Sequence, residues 1–450
     1  MKSNKGDLKL PALLMMGGAL YSMHFGASSM IWPMTWGKES GSSVFIAFIG
    51  AFMTALLLPL LAYVALARGK GTYYGLAKQV MPKFGPIFTT ITIIILGPLY
   101  TIPRMSASSW DAICQSTGFA PESPIPIILF SILYYAITYW FLAGRSNMMD
   151  KVSKILFPIL ILIVVAIIGK GILTPMGEWQ PKTYETPALA YGFTQGYATS
   201  ELLCALTFGL VVLNNLKSHG VSEERMNRNI IKVGIVGIGM LSLTHLGHMI
   251  VGANTAGTID LDYVTLYTQV AFTLLGSVGG AVFSVGLVFA SLTTAIGIGA
   301  ATAEYCEDAS NGKFPYKKAV LVVCAFSAVI GAIGLTNILT YVAPIQDAIY
   351  PGAIILVLYY VFMPNFADKN HMKVCKWGII TSVFFGILDG IYTYNQLLDL
   401  KLDWFVNLYL KLPFAEWKLA WVPFCIIVML IVYVATRNKK ELALDKTQST

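Results

Sequence analysis

Two apolar stretches of this chain contain short runs of small and hydroxylated residues that could bind a small polar solute. The first run is Gly26–Ala27–Ser28–Ser29, and the second is Gly196–Tyr197–Ala198–Thr199–Ser200. These residues include weak helix formers, and their hydroxyls can replace lost backbone hydrogen bonds. Each run therefore predicts a broken helix, although a kinked, continuous helix with a small residue at a helix contact is the alternative.

A pair of broken helices offers two complementary kinds of binding group. Helix N-termini expose N–H groups that suit a carboxylate, whereas the carbonyls at helix C-termini suit an ammonium group or a hard cation. In secondary transporters such breaks lie near the middle of the membrane and hold substrate and ions. The two runs could thus bind both ends of a zwitterionic amino acid.

A third segment, Ala290–Ser291–Leu292–Thr293–Thr294, could supply oxygen ligands to a weakly bound Na⁺. Hard cations prefer oxygen, and the Thr293 and Thr294 hydroxyls could act with the Ala290 carbonyl one turn earlier. The alternative is that both hydroxyls simply bond to preceding carbonyls of their own helix.

Ionisable residues inside apolar segments are the remaining candidates for chemistry. Glu201 is the strongest, because a mid-membrane acid is costly; it could pair with a cation, carry a proton or cap unwound backbone. Asp347 and Asp389 raise the same question with less weight. His245 and His248 have helical spacing but lack a nearby acid or Cys, which favours packing residues over a metal site.

A proline-containing segment, Gly97–Pro98–Leu99–Tyr100–Thr101–Ile102–Pro103–Arg104, predicts a distorted helix. Arg104 is expected near the outer end of that helix, where its side chain could reach the membrane surface. Tyr100 is a candidate for an outer gate or a pocket wall.

The elements that would position these residues are membrane helices. The chain has 450 residues, of which 56% are hydrophobic and 12% charged, whereas a soluble domain carries about 25% charged residues. The six Cys residues include no CxxC pair, which argues against a disulfide framework or structural zinc site. No P-loop is present, and an ATP-driven pump is therefore not expected.

Twelve apolar segments are long enough to cross a membrane. Their approximate bounds are 11–37, 43–67, 84–110, 125–142, 151–169, 188–216, 230–253, 277–304, 318–335, 337–363, 374–395 and 418–436. The connections at 170–187, 254–276 and 396–417 are expected to carry short surface helices. The first segment follows Lys2, Lys5 and Lys9 and is interpreted as a retained span, not a signal peptide.

The order of these segments predicts an inverted repeat. Lys and Arg cluster in alternate connections, which places both termini in the cytoplasm. A weak correspondence between spans 1–5 and 6–10 predicts an all-α protein of 12 transmembrane helices with a five-plus-five inverted repeat. The predicted parts are 1–186 for the first repeat, 187–365 for the second, and 366–450 for the two appended helices and the C-terminal tail.

Five motifs, spread in order over nearly the whole chain, resemble those of the bacterial branched-chain amino acid:cation symporters of the APC superfamily. Phe25–Pro33 resembles that family's FGAGNLIFP, and the segment Gly97–Arg104 resembles GPLFAIPR. Residues 192–199 resemble GFLEGYQT, residues 292–297 with 303–305 resemble LTTAIG…AEY, and residues 348–351 match AIYP. Ser28–Ser29 and Gln195 depart from the family's Gly-Asn and Glu.

The resemblance implies uptake of leucine, isoleucine and valine, driven by a Na⁺ or H⁺ gradient, in a LeuT-type fold. No cofactor is expected besides the coupling ion, and a bacterial inner membrane is the expected location. It also implies a sodium site formed by the Ser22, Phe25 and Ala290 carbonyls and the Thr293 and Thr294 side chains. The substrate-binding candidates are Gly26, Ala27, Ser28, Ser29, Tyr100, Gln195, Gly196, Tyr197 and Thr199.

Three alternatives to this transporter remain open from the sequence. One is a symporter of another small apolar amino acid or related solute. Another is an intramembrane enzyme that uses Glu201 with His245 or His248, which would require these groups within hydrogen-bond reach. The third is a passive channel.

Overall fold

The structure, a computed structural model, describes residues 7–69, 71–144, 148–363 and 367–448. Across these ranges the chain is helical and contains no β-strand. Lys2 and Lys5, which contribute to the predicted orientation, lie outside the described residues.

Twenty-one α-helices follow one another along the described chain. The first eleven are α1 Leu10–His24, α2 Ala27–Ser40, α3 Val44–Ala51, α4 Leu58–Arg68, α5 Tyr73–Val80, α6 Gly85–Ile94, α7 Ile102–Thr117, α8 Ile125–Ala143, α9 Met148–Lys151, α10 Phe157–Leu173 and α11 Ala188–Ala198. The other ten are α12 Glu201–Ser218, α13 Glu223–Ala253, α14 Tyr263–Leu275, α15 Gly279–Ala309, α16 Tyr316–Gly331, α17 Leu335–Tyr341, α18 Ala343–Phe362, α19 Lys369–Leu398, α20 Asp403–Tyr409 and α21 Trp421–Gln448.

Short segments of other helix types join some of these helices. The π-helical segments are Phe52–Leu57, Ile95–Thr101 and Val152–Leu156, and the 3₁₀ segments are Gly41–Ser43, Gly276–Val278 and Ala415–Trp417. The segment Ile95–Thr101 contains the predicted distortion, since Gly97 leaves helical geometry at ψ −108° and Pro98 has no N–H to donate.

Nine helical stretches of the described chain are long and apolar enough to cross a membrane. A tenth is obtained if α16 and α17, which are bent by 102° at their junction, form one span. Each of the twelve predicted segments overlaps helix, but the number of crossings and the inverted repeat stay predictions. The predicted span 337–363 is too long at its start, because α18 begins at Ala343 after the separate short helix α17.

Two of the three connections expected to carry surface helices do contain a helix, and a location of these helices at the surface stays a prediction. The connection 254–276 carries α14, and 396–417 carries α20. The expectation is wrong for the segment after α10, which has no helix between Leu173 and Ala188. Pro175, Pro181 and Pro187 explain the difference, because proline removes backbone donors and restricts the residue before it.

The chain divides into two compact units. Unit 1 comprises Met1–Tyr63 and Leu96–Ile338; unit 2 comprises Val64–Ile95 and Leu339–Thr450. In unit 1, α1 and α2 pack on α13, α7 packs on α15, and α11 packs on α3. In unit 2, α19 packs between α18 and α21. All groups of the candidate site described below belong to unit 1.

Candidate functional site

The first predicted break separates α1 from α2. Phe25 and Gly26 are not helical, with ψ values of 70° and −173°. Local hydrogen bonds hold the gap, since the Gly26 N–H and the Ser29 Oγ both donate to the His24 carbonyl, at 2.9 and 3.1 Å. The prediction of an interrupted helix is confirmed here, and Ala27, Ser28 and Ser29 form the first turn of α2.

Gly26 is required by the close approach of two other helices. A Cβ atom at this position would lie 2.8 Å from Thr294 Oγ1 on α15 and 3.3 Å from Met105 Sδ on α7. Any side chain would therefore have to displace the Thr294 side chain. The gap in α1–α2 is thus sealed on two sides by the helices that carry the other candidate residues.

The second predicted break separates α11 from α12. Thr199 ends the first half with its Oγ1 and its N–H both donating to the Gly196 carbonyl, at 2.7 and 3.2 Å. Ser200 then adopts left-handed geometry, φ 52° and ψ 29°, which disfavours an L-residue by about 1–2 kcal/mol. Strain of this kind persists only where the surroundings impose it, and it is concentrated at functional sites.

The two breaks are joined by a buried pair of side chains. His24, the last residue of α1, lies with Nδ1 2.5 Å from Oε1 of Glu201, the first residue of α12. The His24 Nε2 lies 2.7 Å from the Tyr63 hydroxyl of α4, and His24 and Glu201 are at most 9% exposed. Glu201 thus has His24 as partner, not His245, and the arrangement proposed for an enzyme is wrong.

His24 and Tyr63 are absent from the candidates deduced from the sequence. His24 joins Glu201 across 177 residues and Tyr63 joins His24 across 39, separations too long for local spacing to reveal. A usable signal did exist for His24, since it is an ionisable residue in an apolar segment, directly before the first break.

The two threonines of α15 bind the end of α1. Thr293 Oγ1 lies 2.6 Å from the Ser22 carbonyl oxygen and 2.8 Å from that of Ala290. Thr294 Oγ1 donates to the Met23 carbonyl at 2.7 Å, so its span-1 partner is Met23 and not Phe25. Both threonines are at most 4% exposed. Three of the five oxygen ligands expected for a cation, the Ser22 and Ala290 carbonyls and the Thr293 hydroxyl, thus meet where α1 ends.

The other substrate-binding candidates lie on α11 and on the distorted segment before α7. Gly196 contacts another helix, since a Cβ there would lie 2.4 Å from Thr54 Oγ1 and 2.7 Å from the Ala51 carbonyl oxygen. Gln195 is half-buried, and Tyr197 is 8% exposed. Gly196 therefore allows α11 to pack closely against α3 and the π-helical segment that follows it.

Tyr100 and Arg104 form a buried pair. Arg104 Nη1 donates to the Tyr100 hydroxyl at 2.8 Å, and the guanidinium lies over the Tyr100 and Trp32 rings, at 4.7 and 5.8 Å from their centroids. Arg104 is only 9% exposed. The expectation that it extends to the membrane surface is wrong, because Trp32 of α2 covers it.

The remaining ionisable candidates have partners of their own. His248 lies 2.8 Å from the Tyr267 hydroxyl and 2.7 Å from the Thr244 carbonyl oxygen, and His245 lies 2.9 Å from the Leu241 carbonyl oxygen. Both are therefore packing residues with hydrogen-bond partners. In unit 2, Asp347 pairs with Lys418 at 2.6 Å, and Asp389 accepts a short hydrogen bond from Tyr409.

Two helices interrupted at facing ends are typical of secondary transporters. The comparison with protein families also indicates a transport protein. Residues 10–439 match the family described as "Branched-chain amino acid transport protein". The chain belongs to this family. It is therefore a multi-pass membrane transport protein and not an enzyme.

Curated members of the family are similar along their whole length. The branched-chain amino acid permease BraB of Bacillus subtilis is 31% identical over 439 residues, covering 96% of this chain and 97% of the relative. The branched-chain amino acid permease BrnQ of Escherichia coli K12 is 30% identical over 438 residues, with 95% and 96% covered.

Solved structures show the fold. Mhp1, a nucleobase-cation-symport-1 family transporter in a closed conformation with bromovinylhydantoin bound, has a TM-score of 0.59 at 13% identity, covering 97% of this chain and 95% of Mhp1. MhsT in complex with L-phenylalanine has a TM-score of 0.51 at 16% identity, with 96% and 99% covered. This family member thus has the LeuT-like fold that the resemblance implied.

Proposed function

We propose that the protein is a secondary active transporter that takes up leucine, isoleucine and valine by cation-coupled alternating access. The observation that carries the proposal is the pair of broken helices whose ends meet at His24 and Glu201. Membership of the family and the permease names of its relatives give the substrate class.

The breaks provide groups for both ends of an amino acid. The first-turn N–H groups of α2, from Ala27 to Ser29, have no carbonyl of their own helix to bind and suit a carboxylate. Carbonyls at the end of α11, next to Thr199, suit the ammonium group. Phe25 and Met105 lie beside the break and would favour an aliphatic side chain.

Discrimination among aliphatic side chains is expected to be modest, because one methylene in an apolar pocket is worth about 1–3 kcal/mol. The departures at Ser28–Ser29 and Gln195 change the polar lining of this pocket. Another small apolar amino acid or related solute is therefore the alternative substrate class.

Sodium is our proposed coupling ion. The carbonyls of Ser22 and Ala290 and the Thr293 hydroxyl already converge within hydrogen-bond distance, and Na⁺ binds such neutral oxygens. An ion there would join α1 to α15 and stabilise the form that accepts substrate. One charge moving inward through 100 mV releases about 2.3 kcal/mol, which can drive accumulation. Glu201 is the candidate carrier if the coupling ion is H⁺.

The proposed architecture is twelve transmembrane helices, of which ten form a five-plus-five inverted repeat. Both termini would be cytoplasmic, with the protein in the bacterial inner membrane. The clustering of Lys and Arg in alternate connections supports this orientation.

Uptake of labelled leucine into proteoliposomes tests the proposal. An inward Na⁺ gradient and an inward H⁺ gradient are imposed separately, with unlabelled isoleucine, valine, methionine and alanine as competitors. We expect Na⁺-driven accumulation against the leucine gradient, inhibited best by isoleucine and valine. Equilibration without accumulation under both gradients would identify a passive channel, and accumulation with H⁺ alone would overturn the sodium assignment.

A further inference from the structure

Among the described residues, Arg104 carries a charge beside the break in span 1 to which the proposed function has so far given no role. Its side chain is nine-tenths buried in a chain that crosses the membrane. Its hydrogen bond from Nη1 ends on the Tyr100 hydroxyl, a neutral group. The buried Nε has no hydrogen-bond partner among the described residues.

No acid forms a direct ion pair with this charge in the part of the chain that the structure describes. Arg104 forms no ion pair with a described residue. The acid at the breaks, Glu201, is already bonded to His24. Arginine does not deprotonate in proteins, so it cannot avoid the cost of burial by becoming neutral. A buried, unpaired charge is strongly destabilising, which makes an anionic partner from outside the chain the expected compensation.

The position of Arg104 places it beside the substrate groups proposed above. Its chain neighbour Met105 contacts Gly26 at the break. Trp32, which lies under the guanidinium, is one helical turn beyond Ser28 and therefore shares its face of α2. The charge thus lies along the first turns of the helix whose N-terminus points into the break.

We propose that Arg104 binds the carboxylate of the transported amino acid, together with the N-terminus of α2. This inference rests on the proposed function. With Nη1 held by Tyr100, the Nε–Nη2 edge stays available, and this edge matches a carboxylate in a bidentate pair. The Tyr100 hydroxyl and the Trp32 ring fix the orientation of the guanidinium, which makes both positioning residues.

The test compares substrates with and without the carboxylate. Binding of leucine and of leucinamide is measured on the purified full-length protein, wild type and Arg104→Gln, by displacement of labelled isoleucine or by thermal-shift titration. Charged hydrogen bonds of this type justify an expected loss of about tenfold or more in leucine affinity. Leucinamide affinity should change less than about threefold, since an amide gains no comparable ion pair.

Three further variants make the outcome decisive. Arg104→Lys keeps the charge without the planar fork and should bind leucine with intermediate affinity. Tyr100→Phe should weaken leucine binding more than leucinamide binding. The matched control is Arg68→Gln, whose guanidinium binds the Val361 and Met363 carbonyls; it should leave the ratio of the two affinities unchanged.

Several results would overturn the assignment. Arg104→Gln could leave leucine affinity unchanged, or weaken leucine and leucinamide equally, which would indicate a structural arginine. Replacing chloride with gluconate distinguishes an inorganic anion: leucine binding that requires chloride in the wild type, but not in Arg104→Gln, would assign Arg104 to chloride. If the wild type binds no branched-chain amino acid, the proposed function itself fails; the other outcomes leave it intact.

Discussion

At the scale of single residues, the site is built from neutral oxygens at one point and ionisable groups at another. Thr293 and Thr294 bind carbonyls at the end of α1, while His24 and Glu201 join that end to the start of α12. Loss of the threonine contacts would free α1 from α15, and loss of the His24–Glu201 contact would free α1 from α12. The two sets can therefore be tested independently.

Thr293→Ala should weaken the sodium dependence of uptake. The change removes a hydroxyl that bonds the Ser22 and Ala290 carbonyls, and with it one proposed ligand of the ion. We expect the Na⁺ concentration for half-maximal leucine uptake to rise about tenfold or more, the scale of one good ligand or charged hydrogen bond. Thr293→Ser, which keeps the hydroxyl, is the control. An unchanged Na⁺ requirement in Thr293→Ala would remove the sodium assignment.

The types of residue in the sequence indicate where the backbone breaks. They do not indicate which side chains meet across the breaks. Weak helix formers at Gly26 and Ser200 locate both interruptions, because helix propensity is a local property. The His24–Glu201 contact depends on how α1 and α12 pack, and a pair 177 residues apart leaves no local signal. The predicted position of the Arg104 side chain is wrong for the same reason, because the Trp32 ring that packs over it belongs to another helix.

At the scale of elements, the break between α11 and α12 depends on one strained residue. Ser200 has left-handed geometry, and its carbonyl accepts the first hydrogen bond of α12 from the Leu203 N–H at 3.0 Å. The twelve apolar segments of the sequence locate the helices well because hydrophobic length is a local signal. Their ends are less certain, as α17 and α18 show, since tertiary packing decides them.

Ser200→Gly should preserve this break, whereas Ser200→Val should disrupt it. Glycine adopts left-handed geometry without strain, so Ser200→Gly should keep uptake and change the melting temperature little. A β-branched residue resists this geometry, and Ser200→Val should lose about 1–3 kcal/mol of stability or most of its uptake. The measurements are thermal unfolding in detergent and leucine uptake. Equal behaviour of the two variants would show that the break does not depend on this residue.

At the scale of the whole molecule, the proposed alternating access would require contacts at helix ends that can open and close. One such tie joins the segment before α1 to the first turns of α13, both in unit 1. Asp7 accepts a hydrogen bond from Lys232 Nζ at 2.7 Å and lies 3.4 and 3.8 Å from the Arg228 and Arg225 guanidinium groups. The Leu8 N–H also donates to Asn229 Oδ1, at 3.1 Å.

Asp7→Asn should loosen this end of α1. The hydrogen bond from Lys232 is the main cause that holds the pKa of Asp7 below its ordinary value of 3.8, with the charges of Arg228, Lys232 and Arg225 acting in the same direction against desolvation. Because the folded pKa is depressed, the tie is complete above the ordinary pKa and is lost only as pH falls through the folded value. Near neutral pH we therefore expect the tie to respond to salt and not to pH.

Hydrogen–deuterium exchange of the peptide that spans Leu8 to Met16 measures this effect at neutral pH. In Asp7→Asn the amides of that peptide should exchange faster, by up to about fivefold, the scale of one partly exposed ion pair. High salt should raise exchange in the wild type toward that of the variant. Asp260→Asn, which removes an exposed partner of Lys38, is the matched control and should exchange like the wild type in this peptide. Identical exchange in Asp7→Asn and the wild type at low salt would show that this ion pair does not hold α1, and opening at this end would then depend on packing alone.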